Sequence, residues 1–393
     1  MTAHFNLLSM QKINLLYVIT KLELGGAQKQ LLSLIENLDQ GRFVPFLLTA
    51  QDGLLVQEAS AIRGLKLIKS RFLERPINLL NDLAVLFEIV RIIKKNNIHI
   101  VHTHSSKAGI LGRWAAKLAK TKIIVHTVHG WSFNDYQPAL RRNFFLWLER
   151  ITALFTNKLI VVCYCDKQRG LANRIGAEDK YIIIRYGINH EKFKKIPQNL
   201  KQELGIAASD LVVTMVSCLK EQKWPAGFIN LALKVIRTSL GIKFVLVGDG
   251  VLRKQLEKII VKFNLKGRVF LTGWRLDIPR ILSETDIFVL TSLWDGLPIS
   301  VLEAMAASCP VVVTNTGGIR EVVVEGKTGL MTSPGDLNGM ARKLEVLIKD
   351  VNLRKQMGEQ ARIHLTGKYC LENMVRENQE LYEELIKGAG YVN

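Results

Sequence analysis

Short runs rich in Val, Ile and Leu alternate with amphipathic stretches along most of this chain, and that alternation limits the fold more than any other feature. A strand buried on both faces of a parallel sheet reads as a continuous apolar run; a helix crossing over such a sheet repeats its apolar residues about every 3.6 positions. Residues 13–20 are a run of the first kind. Leu24, Gly25, Gly26, Ala27 and Gln28 follow, then Leu31, Leu32, Ile35 and Leu38 at helical spacing. The order is strand, glycine turn, helix. It recurs with strands over 43–50, 98–103, 122–128 and 158–163 and helices over 79–96 and 108–119. In the helix over 79–96, Leu83, Leu86, Phe87, Val90 and Ile93 are expected to face inward. The polar stretch from Tyr186 to Asn199, which includes Pro197, interrupts the alternation and reads as a linker.

A second series follows, with strands over 211–217, 243–247, 269–272, 287–291 and 310–314. Its helices lie over 226–240, 251–263, 278–284 and 299–307. A last helix over 371–387 carries Met374, Leu381 and Leu385 on one face. Strands alternating with helices specify an α/β fold with doubly wound parallel sheets. At 393 residues the chain fits two such domains, divided near residue 190. Ligands of open α/β sheets bind outside the carboxyl ends of the strands, so the glycine turns are expected to face an interdomain cleft.

No apolar run reaches the length of a membrane span, and residues 1–12 show no secretory signal pattern. The five cysteines are odd in number and lack zinc-ligand spacing, which fits buried free thiols in a reducing cytosol. The net charge is +19. Residues 1–190 hold 26 Lys and Arg against 13 Asp and Glu, a net of +13, while residues 191–393 hold 28 against 22, a net of +6. A basic first half calls for an anionic partner: a nucleic acid, an acidic membrane surface or a phosphorylated substrate. No helix-turn-helix, zinc-finger or ribonucleoprotein signature is present, which argues against nucleic acid.

The chemistry concentrates between Trp294 and Glu325. Asp295 and Glu303 stand eight residues apart, separated by a Gly296-Leu297-Pro298 turn that opens a helix through Ile299 and Ser300. Gly317, Gly318 and Glu321 follow at the next strand end. A glycine-bearing turn into a helix offers backbone N–H groups and the positive end of a helix dipole to a phosphate. Carboxylates beside it suit sugar and ribose hydroxyls. Either acid alone is equally a surface side chain; the joint pattern favours a site. Gly25-Gly26 is a second phosphate-compatible turn, although no third glycine completes a dinucleotide fingerprint. Lys220 and Lys223, after the first strand of the second series, would neutralise a diphosphate or else be solvated loop lysines. His102, His104, His126 and His129 sit at two strand ends, with no H-E-x-x-H spacing for a metal. His129, beside Gly130, is best placed to touch substrate. The helix over 140–150 mixes cations with Phe144, Trp147 and Leu148, which fits anionic lipid headgroups or core packing.

From Ile13 to about Tyr382 the chain resembles the retaining glycosyltransferases of family 4, which have the GT-B fold. Asp295 to Glu321 looks like that family's E-x7-E and G-G-x-x-E signature, with Asp295 in place of the first Glu. Val216-Ser217-Cys218-Leu219 departs from V-G-R-L, with Cys218 replacing the arginine and Lys223 matching the lysine that follows. The resemblance implies that segment 371–393 crosses back to the first domain, so that 1–190 with 371–393 holds acceptor and 191–370 holds donor. It implies catalytic roles for His129, Asp295 and Glu303. Donor binding would fall to Gly25, Gly26, Lys220, Lys223, Gly296, Leu297, Pro298, Ile299, Ser300, Gly318 and Glu321. His104, Lys107 and Trp131 would lie on the acceptor side.

The implied activity is transfer of a sugar from a nucleotide-diphosphate sugar, with retention, to a saccharide or a polyprenyl-diphosphate-linked saccharide in bacterial-type surface polysaccharide assembly. The enzyme would be cytoplasmic, peripheral on the inner membrane face, and free of any cofactor or metal, since no D-x-D occurs. A small-acceptor transferase, an epimerase and a non-catalytic sugar-nucleotide binder remain as alternatives.

Overall fold

Among the described residues every strand pair in the sheets is parallel, and two sheets are formed, one of seven strands and one of six. The computed structural model describes residues 12–194, 199–237, 239 and 241–391. Residues 1–11, the Pro197 part of the linker, residues 238 and 240 of the expected helix and residues 392–393 lie outside the described residues. Chain contacts define two units. One comprises residues up to 162, 166–184 and 374 onward; the other comprises 163–165 and 185–373.

The first unit contains β1 (Ile13–Val18), β2 (Phe43–Ala50), β3 (Lys66–Ser70), β4 (Ile100–His104), β5 (Ile123–Val128), β6 (Lys158–Val161) and β7 (Tyr181–Ile183), in the order β3-β2-β1-β4-β5-β6-β7. Its connections are α1 (Gly26–Glu36), α2 (Val56–Ala61), α3 (Leu79–Lys95), α4 (Ser106–Leu118), α5 (Ala139–Leu154) and α6 (Tyr164–Ala172), the first two residues of α6 belonging to the second unit. The second unit contains β8 (Leu211–Val216), β9 (Ile242–Val247), β10 (Val269–Gly273), β11 (Ile287–Leu290), β12 (Val311–Thr314) and β13 (Gly329–Thr332), in the order β10-β9-β8-β11-β12-β13. Its helices are α7 (Leu200–Leu204), α8 (Pro225–Ile236), α9 (Arg253–Lys262), α10 (Ile278–Ser283), α11 (Ile299–Ala306), α12 (Ile319–Val322), α13 (Leu337–Lys349) and α14 (Val351–Leu365). The last helix, α15 (Leu371–Gly388), joins the first unit from Met374 onward.

The central strands are buried on both faces, as their apolar runs require: Leu15 to Val18 and Val311 to Val313 have no exposed side chain. Both sheets reverse direction once, between β1 and β4 in the first and between β8 and β11 in the second. At such a reversal the flanking crossovers diverge and leave a crevice at the carboxyl ends of the strands. In the first unit this place is pinned by a 2.8 Å bond between the Thr20 and Ser105 hydroxyls.

Two helix faces differ from the pattern-based expectation. On α3, Val85, Ile89, Ile92 and Ile93 are buried, whereas Leu83 and Phe87 are exposed, Phe87 by 65%. Apolar residues occupy almost every turn position of α3, so periodicity alone does not select a stripe; packing against the core that includes Ala108, Ala115 and Ala116 of α4 selects it. On α5, Phe144 and Trp147 point to solvent, while Leu146, Glu149, Thr152 and Ala153 are buried. The buried Glu149 accepts a 2.7 Å bond from Arg113, itself fully buried, so an ion pair helps to dock α5, and Phe144 and Trp147 do not supply the core packing that is one of the two readings of this helix. Of the five thiols, Cys163 and Cys309 are buried, but Cys165 is exposed.

Candidate active-site residues in the two units

In the second unit the loops after β8 and β11 meet at the sheet reversal. Asp295 ion-pairs with Lys223, both side chains being largely buried. The Asp295 carboxylate also accepts from the Ser292 hydroxyl at 3.2 Å and from the Gly296 N–H at 3.2 Å. Two side chains that motif reading passes over hold this geometry. Thr291 donates to the Lys223 and Trp224 carbonyls at 3.1 and 2.9 Å, and Trp224 adopts φ +45°, a left-handed conformation rare for a bulky residue. In the sequence, Pro225 at the start of α8 is a local sign of a turn here.

The next glycines explain themselves by close approach. A Cβ on Gly317, which has φ +53°, would lie 2.2 Å from the Asp295 carbonyl oxygen. The Gly318 N–H donates to the Gly296 carbonyl at 2.7 Å. The two glycines thus press the β12 loop against the Asp295–Gly296 backbone. Helix α11 then starts at Ile299 with no side-chain cap and no acidic residue in its first turn. Leu297, Pro298 and Ile299 are buried, with Ser300 part-buried beside them. Glu303 lies on the second turn of α11, part-buried. Lys220 is exposed at the head of the same turn as Lys223.

Glu321 is used differently from its neighbours in the motif. Its Oε1 accepts from the backbone N–H groups of Tyr164 and Cys165 at 2.6 and 3.2 Å, and its Oε2 pairs with Arg185 at 3.5 Å. The Tyr369 hydroxyl donates to its carbonyl at 3.0 Å. This carboxylate braces chain segments far away in sequence, which no local pattern reveals.

In the first unit, Gly25 caps α1 in an extended conformation with no side-chain hydrogen bond, and the first turn of α1 carries no acid. Both phosphate-compatible turns therefore lead into helix starts free of side-chain caps. His104, at the end of β4, receives or gives a 2.9 Å hydrogen bond between its Nδ1 and Nε2 of His129. His102 stacks on His104 with centroids 4.3 Å apart; its Nδ1 meets the Tyr382 hydroxyl at 2.6 Å and its Nε2 the Thr127 hydroxyl at 2.7 Å. Tyr382 comes from α15, and its hydroxyl lies 3.3 Å from the Tyr17 hydroxyl, a connection that 365 residues of separation hide from the sequence. His126 is satisfied within the strand layer by the Thr103 hydroxyl at 2.9 Å.

Burial keeps these imidazoles neutral. Desolvation drives His102 down to about 3, with the charge of His129 adding to it, and drives His104 and His126 well below the ordinary histidine value. Desolvation likewise lowers His129.

Lys107 ion-pairs with Asp82 at 2.5 Å and bonds the Pro76 carbonyl, tying α4 to the start of α3. The Trp131 indole donates to the Asp166 carbonyl at 2.9 Å and packs on the core around Phe133. Both side chains are thus held by their own unit. Among the described residues no three His, Cys, Asp or Glu side chains converge to hold a metal ion, and no helix is long and apolar enough to cross a membrane.

Comparison with known proteins identifies the family. The model of glycosyltransferase family 4 matches residues 24–192, and the model of glycosyl transferases group 1 matches residues 197–364. The Escherichia coli UDP-Gal:alpha-D-GlcNAc-diphosphoundecaprenol alpha-1,3-galactosyltransferase is 35% identical over 318 residues, covering 79% of this chain and 82% of that protein. An O-antigen biosynthesis glycosyltransferase of Escherichia coli is 28% identical over 378 residues, 95% of this chain and 99% of its own. The crystal structure of Anabaena HepE with UDP and glucose superimposes with a TM-score of 0.82 at 21% identity, covering 94% of this chain and 99% of that one.

Proposed function

This chain belongs to glycosyltransferase family 4, and from that premise we propose that it transfers a sugar, with retention and without a metal, from a uridine-diphosphate sugar to a lipid-linked saccharide acceptor. The observation that carries the reading is the Lys223–Asp295 pair beside the uncapped start of α11, at the β8/β11 reversal. A diphosphate there takes the Lys223 ammonium and the first α11 amides. Asp295, released from Lys223, is then free for hydroxyls of the sugar, and Glu303 accepts from the ribose. The relative that names its donor and acceptor uses UDP-Gal and a diphosphoundecaprenol-linked GlcNAc, and HepE binds UDP and glucose, which supports the donor and acceptor classes.

In the chemical step the bond from the anomeric carbon to the β-phosphate oxygen breaks, and a bond to the acceptor oxygen forms on the same face. The acceptor's proton passes to the departing phosphate oxygen. Charge on the leaving diphosphate is carried by Lys223, with Lys220 at the same turn, and by the α11 dipole; this does the work of a metal bridge. The single methylene lost at Asp295 relative to Glu leaves its carboxylate within reach of Lys223.

The lipid-linked acceptor accounts for the first unit's surface. Leu140, Phe144, Trp147 and Leu154 of α5 are exposed, interleaved with Arg141, Arg142 and Arg150. Leu79, Leu80, Leu83 and Phe87 of α3 are exposed too. Aromatic and aliphatic side chains among arginines suit the headgroup region of an anionic bilayer.

Glu303→Ala should lower transfer by roughly a hundredfold or more while leaving the circular dichroism and melting curve unchanged; full activity would refute the assignment. Sedimentation with anionic vesicles should occur at low salt and weaken in Trp147→Glu; indifference to vesicles would remove the membrane part alone.

A further inference from the structure

We propose that Glu321 is a positioning residue for the donor site: it fastens the β12 loop to the start of α6 and thereby sets the Asp295–Gly296 backbone. The link to that backbone is short. The Glu321 N–H donates to the Gly318 carbonyl at 3.0 Å, and the Gly318 N–H donates to the Gly296 carbonyl at 2.7 Å. Gly318 alone therefore stands between Glu321 and the loop that carries Asp295. Gly317 adds a steric contact, since a Cβ there would lie 2.2 Å from the Asp295 carbonyl oxygen. Asp295 cannot shift toward this loop without displacing it. The Asp295–Gly296 backbone in turn leads through Leu297 and Pro298 into α11.

The Glu321 side chain supplies the fixed end. Helix α6 begins at Tyr164, so the N–H groups of Tyr164 and Cys165 are among the four at a helix start that find no acceptor within the helix. Oε1 of Glu321 accepts from both, at 2.6 and 3.2 Å. A carboxylate suits that place doubly, because it meets the positive end of the helix dipole as well as the two donors. Oε2 faces Arg185 at 3.5 Å. Arg185 also hydrogen-bonds the Tyr369 hydroxyl, which donates to the Glu321 carbonyl at 3.0 Å. The segment held by the carboxylate touches the β12 loop a second time: a Cβ on Gly318 would lie 2.8 Å from the Cβ of Cys163. Residues 163–165 and 185–373 belong to one unit, so the whole anchor lies inside it. Glu321→Gln keeps the size, but with its oxygen turned to α6 its NH2 group meets the Arg185 guanidinium, donor against donor. The effect on donor binding rests on the function proposed above; the anchoring does not.

The test takes the full chain, deuterated and 15N-labelled, without ligand. Amide exchange at Gly318 is decisive, because its acceptor is on Gly296 and not on Glu321. In Glu321→Gln, the amides of Tyr164, Cys165 and Gly318 should exchange about tenfold faster or more, while those inside β11 and β12 stay within about twofold of the parent. Tyr369→Phe leaves the carboxylate in place and should speed exchange at Gly318 by about threefold. With UDP as the probe, Kd should rise about tenfold in Glu321→Gln and about threefold in Tyr369→Phe. Faster exchange at Tyr164 and Cys165 with Gly318 unchanged overturns the proposal, since the carboxylate would then only cap α6. Weaker UDP binding in Glu321→Gln alone, with parental exchange and affinity in Tyr369→Phe, also overturns it, because that is the pattern of a direct ligand contact. If the parent binds no UDP, the donor reading falls and the exchange rates still decide the positioning; if Glu321→Gln does not fold, Tyr369→Phe decides it.

Discussion

The two units place their candidate groups at the same topological position and solve the problem of burying polarity there in opposite ways. At the β8/β11 reversal the second unit buries opposite charges, Lys223 against Asp295. At the β1/β4 reversal the first unit buries neutral rings and hydroxyls, with His102, His104, Tyr17 and Tyr382 linked by hydrogen bonds and ring packing. Topology supplies a crevice at a strand end; it does not dictate which chemistry fills it. Under the proposed function an ion pair suits a site that exchanges one partner for a diphosphate, since the incoming anion would replace the carboxylate on the same lysine. A neutral network holds its rings in place, since nothing in it gains by moving.

The sharpest way to break this contrast is to remove one charge. Lys223→Ala leaves Asp295 buried without its cation and should cost about 3 kcal/mol of stability, together with loss of donor-induced thermal stabilisation. A melting temperature within error of the parent would mean that the pair is not the anchor of that loop. Gly317→Ala comes next. The added methyl meets the Asp295 and Gly296 carbonyl oxygens in a left-handed backbone, so denaturant unfolding should reveal a loss of roughly 2–3 kcal/mol.

Acid probes the first unit's fully buried rings without mutation; His190 and His364 of the second unit, also lowered by burial, add to the same titration. The folded-state values of His102, His104 and His126 lie below the ordinary 6.5, so the unfolded chain takes up protons first as pH falls. Stability from these rings is complete above about 6.5 and should decline below it by about 1.4 kcal/mol per pH unit for each ring, continuing toward the folded-state values. Unfolding midpoints measured from pH 8 to pH 4 should therefore bend near 6.5, and the bend should shrink in His104→Asn. The smallest effect is expected from Tyr382→Phe, which removes the hydroxyl facing His102 at 2.6 Å and should cost about 1–2 kcal/mol in the same unfolding assay.

Much of the first-order plan was legible. The strand over 43–50 coincides with β2, and the glycine turns open α1 and α11, because apolar runs and glycines act locally. Short or polar elements escaped: β3 carries two lysines in five residues, and β13 is only four residues long, too little pattern for periodicity to register. The motif around Asp295 groups Glu321 with the candidate donor contacts by its spacing; that its carboxylate holds Tyr164, Cys165 and Arg185 is legible only in the folded chain.

By itself the sequence determined what depends on neighbours along the chain: which runs are strands, where backbone turns sharply, and where N–H groups are left at helix starts. Only the tertiary structure decided which stripe of α3 is buried, which cation meets Asp295, and that a tyrosine from α15 reaches His102. Those outcomes turn on packing and hydrogen bonds between residues tens to hundreds of positions apart, and such contacts leave no local period to read.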